Sequence, residues 1–392
     1  MTFDQIDKYQ SRLVQALKTV NVEPQKIKAV IDSGYILLPP SYIAQNHDNK
    51  KVVIDTFYNN KAPSSFIPFE QFVEYMNGKE HPIKYNPLRF KVSSLAEARK
   101  ILERPENKRY SEMTRLCFRG QTKEFFTHRA FPNPRIADKS GREPIVMPGF
   151  WRDFQHSWND RFGHAYCSLF GDIRGDEFVY YGIKDWNRLQ EINFNRYGYH
   201  DISDLEDFPD SESQEYFRRY TDFKIHHGAN NDLPVVEQHY GIKTNGLDVT
   251  FDIAVALFFA SHKMVSDAHG LVHFEMIDGN KQTGLVYMFV FESPPLKGSE
   301  QMIKAIPSFS HMRPERPIRQ KCALPFFHSW GINEAICDCH AILEISHDFC
   351  YDGLPKPADI FPGPDDDPFY KIALEFKKKR PELYGQFTEY VV

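Results

Sequence analysis

Apolar and polar positions along this chain recur with the two periods that separate helices from strands. Over residues 3–20, Ile6, Leu13, Val14 and Leu17 form one apolar stripe at helical spacing. A second short helix is predicted over 24–32, with Pro24 at its start, where a fixed φ suits the first turn. LLPP at 37–40 breaks that pattern, VVIDTF at 52–57 reads as a strand, and 68–75 reads as a short helix. HPIKYNP at 81–87 has the character of a linker. Residues 1–88 are therefore expected to form a small N-terminal accessory region, and 89–380 a larger unit.

The larger unit opens with SSLAEARKIL at 93–102. Glu97 stands three residues after Ser94, the pattern of a capping box, and predicts a helix. A short polar loop then leads to RLCF at 115–118, a predicted strand ending at Arg119 and Gly120. Residues 133–235 are polar, aromatic and irregular. A loop of that length is unusual in a compact domain, so a helical insertion is expected, with Trp151, Trp158 and Trp186 packing part of it. Beyond it, 253–262 reads as a buried helix with Thr250 or Asp252 as its N-cap. GLVYMFVF at 284–291 is the best strand, HAILEI at 340–345 another, and 368–379 a terminal helix. The class these elements predict is α+β.

Composition narrows the function classes. Hydrophobic residues make up 41% and charged residues 26% of the 392, which excludes a mostly disordered chain, collagen and a coiled coil. The net charge of −5 shows no basic excess, which disfavours nucleic acid as the main partner. The most apolar run, AVALFFA at 254–260, is far short of the ~20 residues of a membrane span. The N-terminus mixes both charge signs and has no apolar signal core. Six cysteines without a C-x-x-C are too sparse for a disulfide scaffold. A cytoplasmic protein with reduced thiols is expected.

Several fingerprints are missing: no G-x-G pair, no P-loop, no H-E-x-x-H and no G-x-S-x-G. Cys337, Cys339 and His340 are spaced more tightly than zinc ligands usually are, and fit the start of a strand better. No metal site is expected. Three segments carry chemistry instead. In LCFRGQ at 116–121, Arg119 offers a planar fork for phosphate or carboxylate, beside Gly120, which lets backbone come close. An Arg paired with a buried acid is the plainer account. In 238–260, Gln238, His239 and Tyr240 precede a glycine-containing turn, and Asp248 and Thr250 lead into the apolar helix. His239 suits a general base or a hydrogen-bonding anchor, and equally a satisfied semi-buried histidine. For Thr250, helix capping is the better account. In 316–324, Arg316, Arg319 and Lys321 surround Gln320, and by themselves read as a solvated basic run.

The order of these segments resembles the FRG-domain family, named for its Phe-Arg-Gly motif. The resemblance rests on Phe118-Arg119-Gly120, then Gln238-His239-Tyr240-Gly241 with Leu247-Asp248, Thr250 and Ala256-Leu257-Phe258-Phe259-Ala260, then Arg316 and Gln320. It extends over about 90–378, with Ile360-Phe361-Pro362-Gly363 similar to the family's closing segment. The family's Arg after the middle turn is replaced here by Asn245, and Cys322 stands where a Gly is common. The arrangement is similar in turn to the ADP-ribosyltransferase fold, which implies a mixed-sheet core and NAD⁺ as a small-molecule nucleotide substrate. On that resemblance Arg119 would clamp the pyrophosphate or ribose and His239 would bind a ribose hydroxyl. Tyr240 would stack on nicotinamide, and Asp248 or Glu344 would stabilise positive charge or activate the acceptor. Gln320 would orient a group, with Gly120, Gln238, Thr244 and Thr250 completing the ligand site. The acceptor would be a protein or a nucleotide, and the biological setting a bacterial toxin or defence effector. The alternative is a non-catalytic module that binds a nucleotide or a partner; a nuclease or another hydrolase ranks last, for want of a recognisable metal triad.

Overall fold

The computed structural model describes residues 3–38, 51–58, 66–79, 83–148, 211, 236, 238–241, 246–297, 313–325, 333–379 and 381–391. Trp151, Trp158, Trp186 and most of the expected insertion over 133–235 lie outside them.

The N-terminal region packs helices on a small sheet. Helices α1 (Phe3–Thr19) and α2 (Pro24–Asp32) precede strands β1 (Tyr35–Leu38), β2 (Val52–Asp55) and β3 (Ile67–Pro68), and α3 (Phe69–Met76) follows. The strands pair antiparallel in the order β1-β2-β3. Leu13 and Leu17 of the predicted stripe are fully buried against Val30, Tyr35, Val53, Ile67 and Phe72.

Strand β4 (Leu88–Ser94) begins a second, larger unit, where the sequence pattern had suggested no strand. Helices α4 (Leu95–Leu102) and α5 (Pro105–Glu112) follow. Ser94 caps α4 as expected, accepting from the Glu97 amide. The Glu97 carboxylate, however, returns to the Ser93 amide and hydroxyl rather than to Ser94. The stretch read as a polar loop is α5, which lacks an apolar stripe but carries Pro at its first position.

The other described residues supply β5 (Leu116–Gln121), β6 (Phe126–Thr127), β7 (Glu143–Pro144), β8 (Val249–Thr250), α6 (Ile253–Ser261), β9 (His262–Ser266), β10 (Leu271–Met276), β11 (Leu285–Val290), β12 (Leu296–Lys297), α7 (Glu315–Arg319), β13 (Cys322–Leu324), β14 (Cys339–Cys350), α8 (Pro357–Ile360), α9 (Pro368–Lys379), α10 (Pro381–Tyr384) and β15 (Glu389–Tyr390). Seven strands form the main sheet in the order β12-β13-β8-β5-β11-β14-β4, antiparallel except for β14 with β4. The class is mixed α+β. Both faces of β11 are covered: Leu285, Tyr287 and Phe289 join one core, and Val286 and Met288 the other. That double burial explains its uninterrupted apolar sequence.

Helix α6 is apolar on every side because it is buried on every side but that of Phe259. It lies directly on the sheet. A Cβ on Gly120 would stand 1.9 Å from the Ala256 carbonyl oxygen, and one on Gly284 2.1 Å from that of Ala260. Both glycines are there because the helix backbone occupies the space of a side chain.

A buried ionic cluster joins the two units. Arg129 donates to both carboxylate oxygens of Asp55, at 2.8 and 2.6 Å, and to both of Glu143, at 2.8 and 2.7 Å. Tyr58 and the Asn133 amide also donate to Glu143, and the Asn133 side chain donates to Asp55.

Candidate functional site

The chemistry of the main unit gathers where β5 and β8 separate. These strands share one paired position, Phe118 with Thr250. Continuing that antiparallel register would set Gly120 opposite Asp248, but the ladder stops. Arg119 bridges the gap instead, its Nη1 donating to the Asp248 carbonyl. Arg119 and Gly120 therefore do not end a strand, as the sequence suggested. β5 runs on through both to Gln121, and Arg119 pairs with Tyr287 of β11.

A cavity of about 490 Å³ opens at this separation. Phe118, Arg119 and Gly120 line it from β5, and Gln238 and His239 from a single 3₁₀ turn. Asp248 and Thr250 line it from β8 and the residue before it, and Gln320 from the end of α7. Three segments spread over two hundred residues of sequence thus meet around one space.

The ring of His239 is buried, and its two nitrogens have different partners. Nδ1 lies 2.8 Å from Gln320 Oε1. The amide orientation follows from its other end, where Nε2 of Gln320 donates to the Ile360 carbonyl at 2.9 Å. A carbonyl only accepts, so Oε1 faces the imidazole and the ring proton sits on Nδ1. His239 Nε2 faces Asp248 Oδ1 at 3.3 Å. In the neutral ring that nitrogen accepts from a donor, and in the charged ring it pairs with the carboxylate.

Gln320 spends both ends of its amide inside the protein. Thr250 is likewise committed, its hydroxyl donating to the Gln320 carbonyl at 2.7 Å and accepting from the Asp252 amide at 3.0 Å. The N-cap of α6 is Asp252, which accepts from the Ala254 amide. Asp248 Oδ1 makes no hydrogen bond among the described residues.

Tyr240 is absent from the cavity wall. It is fully buried, its hydroxyl donates to Asp367 at 2.6 Å, and its ring packs on Phe369 and Tyr370. Burial first, and Asp367 second, push its hydroxyl pKa well above the usual tyrosine value. Stacking on a ligand is therefore not open to it. Arg316 is not a solvated cation either. It is fully buried, with its guanidinium 4.5, 3.8 and 4.4 Å from the ring centres of Tyr240, Tyr370 and Tyr390. Glu344 lies on β14 and pairs with Arg89 at 2.8 Å, away from the cavity. Thr244 lies outside the described residues.

Other wall residues were not legible as such in the sequence, although Phe259 and Phe361 lie in segments that carry the family resemblance. Val255 and Phe259 come from α6, Met264 from β9, and Phe361, Thr388 and Tyr390 from the C-terminal part. Thr388 and Tyr390 carry no local signal, because they reach the cavity only through long-range bonds. The Thr388 amide donates to the Tyr240 carbonyl at 2.7 Å, and β15 pairs with β10. Gly241, at φ 100°, admits that contact, since a Cβ there would meet Thr388 Oγ1 at 1.9 Å.

Comparison with known families adds one finding: the model described as the FRG domain matches residues 176–269. The chain carries an FRG domain. The matched residues include Gln238, His239, Tyr240, Asp248, Thr250 and all of α6, and begin within the stretch read as an insertion. Arg119, Gly120 and Gln320 lie outside the match, yet line the same cavity as its polar residues. No curated protein and no solved structure matches the chain. Among the described residues, no cluster of His, Cys, Asp and Glu could hold a metal ion. Cys337 and Cys339 are half-buried, and burial pushes the Cys339 thiol up to about 12. No helix among the described residues is long and apolar enough to cross a membrane.

Proposed function

We propose that this cavity is the reaction site of an NAD⁺-using enzyme of the ADP-ribosyltransferase type, which breaks the bond between nicotinamide and ribose. The observation that carries this reading is Asp248 beside an oriented His239, with the Arg119 guanidinium at the same cavity. The departing nicotinamide takes the bonding electron pair and leaves an oxocarbenium-like sugar, as in glycoside cleavage. A carboxylate facing that carbon stabilises its charge, and the proton of the incoming nucleophile passes to it. Arg119 suits the pyrophosphate by its fixed positive charge, its guanidinium being held at the cavity by the Asp248 carbonyl. His239 Nε2 suits a ribose hydroxyl.

The test is incubation of the purified chain with NAD⁺, following nicotinamide release by chromatography, with Arg119→Ala and Asp248→Asn as controls. Release that disappears in both variants is the expected result. Unchanged turnover in Arg119→Ala removes the clamp, and absence of release in the wild type sinks the reading.

One observation favours a second reading, a non-catalytic nucleotide-binding module. Gln320 uses both ends of its amide internally, so the third motif offers no side-chain group to a reaction. Stoichiometric nucleotide binding without turnover is the outcome that selects it.

A further inference from the structure

The cavity has two chemically distinct walls. Arg119, Asp248, His239 and Gln320 form a polar wall: Arg119 donates to the Asp248 backbone carbonyl, Asp248 Oδ1 stands 3.3 Å from His239 Nε2, and Gln320 Oε1 accepts from His239 Nδ1. Opposite in character, Val255, Phe259, Met264, Phe361 and Tyr390 make an apolar wall. Its rings are in mutual contact. Phe259 and Phe361 stand 5.9 Å apart with their planes at 82°, and Phe361 stacks on Tyr390 at 4.9 Å.

Two perpendicular rings form a corner. Phe361 is buried and already packed on Phe274 at 4.6 Å and on Tyr390, so a flat aromatic group in that corner stacks on Phe259 and meets Phe361 at its edge, an arrangement the ring quadrupoles favour. Met264 stands at the same wall with 55% of its surface exposed, and Phe259 is the one residue of α6 from 253 to 261 that is not buried. Exposed apolar surface in a cavity is surface that a ligand can cover. Methionine sulfur against an aromatic ring adds a favourable contact.

We propose that the cavity takes a ligand with a planar heteroaromatic ring joined to a phosphorylated sugar, the ring seated in the corner of Phe259 and Phe361 beneath Met264. This assigns the ring-holding role to residues other than Tyr240. The inference takes from the reading above only that the cavity is a nucleotide site, and needs none of its bond-breaking chemistry.

Calorimetric titration of the full chain with three probes tests it: nicotinamide mononucleotide, adenosine monophosphate and ribose 5-phosphate. At least one ring-bearing probe should bind tenfold or more tightly than ribose 5-phosphate. Phe259→Leu should weaken that probe at least fivefold and leave ribose 5-phosphate unchanged. Met264→Ser, at an exposed strand position, should act in the same direction without a risk to folding. Equal affinity for all three probes, binding of none, or an equal loss for ribose 5-phosphate in both variants would overturn the proposal. Lack of nicotinamide release sinks the catalytic reading alone and leaves these titrations to decide the ring site.

Discussion

Gln320 fixes the tautomer of His239. Its amide nitrogen is spent on the Ile360 carbonyl, so only its oxygen can face Nδ1, at 2.8 Å. Replacing Gln320 with Leu leaves a buried Nδ1–H and the Ile360 carbonyl without their partner. The expected cost is about 1–3 kcal/mol, the usual penalty of an unsatisfied buried polar group. A structural role alone predicts only that loss. Orientation predicts in addition that the ¹⁵N spectrum of neutral His239 changes from the Nδ1–H form in the wild type to a mixture in Gln320→Leu. An unchanged spectrum would refute it.

Gly120 tests whether the Phe-Arg-Gly segment serves packing or turning. Its φ is not in the left-handed region, and it sits inside β5. Alanine there would place a methyl 1.9 Å from a helix carbonyl. Overpacking in a rigid core costs about 1–3 kcal/mol or more, so Gly120→Ala should lie at the upper end of that range. Chemical denaturation measures it. A loss below 0.5 kcal/mol, roughly the noise level of surface substitutions, would mean that α6 slides freely off the sheet.

Arg129 serves two fully buried carboxylates from the two units of the molecule. Arg129→Met removes the cation and leaves Asp55 and Glu143 facing each other in the interior. Breaking a buried ion pair by removing one partner costs about 3–5 kcal/mol. Urea denaturation should show that loss, and limited proteolysis should cut between the N-terminal sheet and β4 sooner than in the wild type. Arg129→Lys should recover little, since one ammonium cannot reproduce the guanidinium's four bonds to the carboxylates and its fifth to the Ser33 carbonyl.

His262 gives the stability curve an acid limb. Its ring stacks on Phe258 at 4.3 Å and is half-buried, and burial holds its pKa below the ordinary histidine value despite the bond to the Phe258 carbonyl. A lowered histidine favours the neutral form in the folded state. Its contribution is present above the unfolded pKa of about 6.5 and is lost as pH falls through the lower folded value. His262→Gln should flatten that part of a melting-temperature profile between about pH 6.5 and 5. An unchanged profile would mean that other groups set the limb.

What was legible in the sequence was local. Helix α2 opens at Pro24 and α9 at Pro368, and α4 is capped by Ser94, because those signals lie within a few residues of their effect. Strand β4 was missed because LRFKVSS is largely exposed at the sheet edge and pairs with β14 some 250 residues away in the chain, a separation given by Leu88 opposite Ala341. Helix α5 was missed because it buries mainly Asn107 and shows no stripe. At the site, motif order was enough to bring Arg119, His239, Asp248 and Gln320 together. It could not tell which side chains face the cavity. Tyr240 turns away because the Arg316 guanidinium and Asp367 claim its ring and hydroxyl. Phe259, Met264 and Phe361 face the cavity, although their sequence reads as core.

Tyr240 therefore separates a ligand-binding role from a packing role. Its hydroxyl is one of three donors to Asp367, beside the Tyr370 amide at 3.1 Å and the Glu315 amide. Burial raises the Asp367 carboxyl above its usual range, so each lost donor adds to the difficulty of keeping it charged. Tyr240→Phe keeps the ring on Arg316 and removes the hydroxyl, the donor to Asp367 and the acceptor of the Arg316 amide. The expected loss is about 1–3 kcal/mol of stability. Because Asp367 then takes a proton more readily when folded, the deficit should shrink as pH falls toward the carboxylate range. Nucleotide affinity should stay within about twofold of the wild type, well under the tenfold that 1.4 kcal/mol represents. A large loss of affinity with unchanged stability would return Tyr240 to the ligand, and would require its ring or hydroxyl to reach the cavity through a movement of the 3₁₀ turn that carries His239.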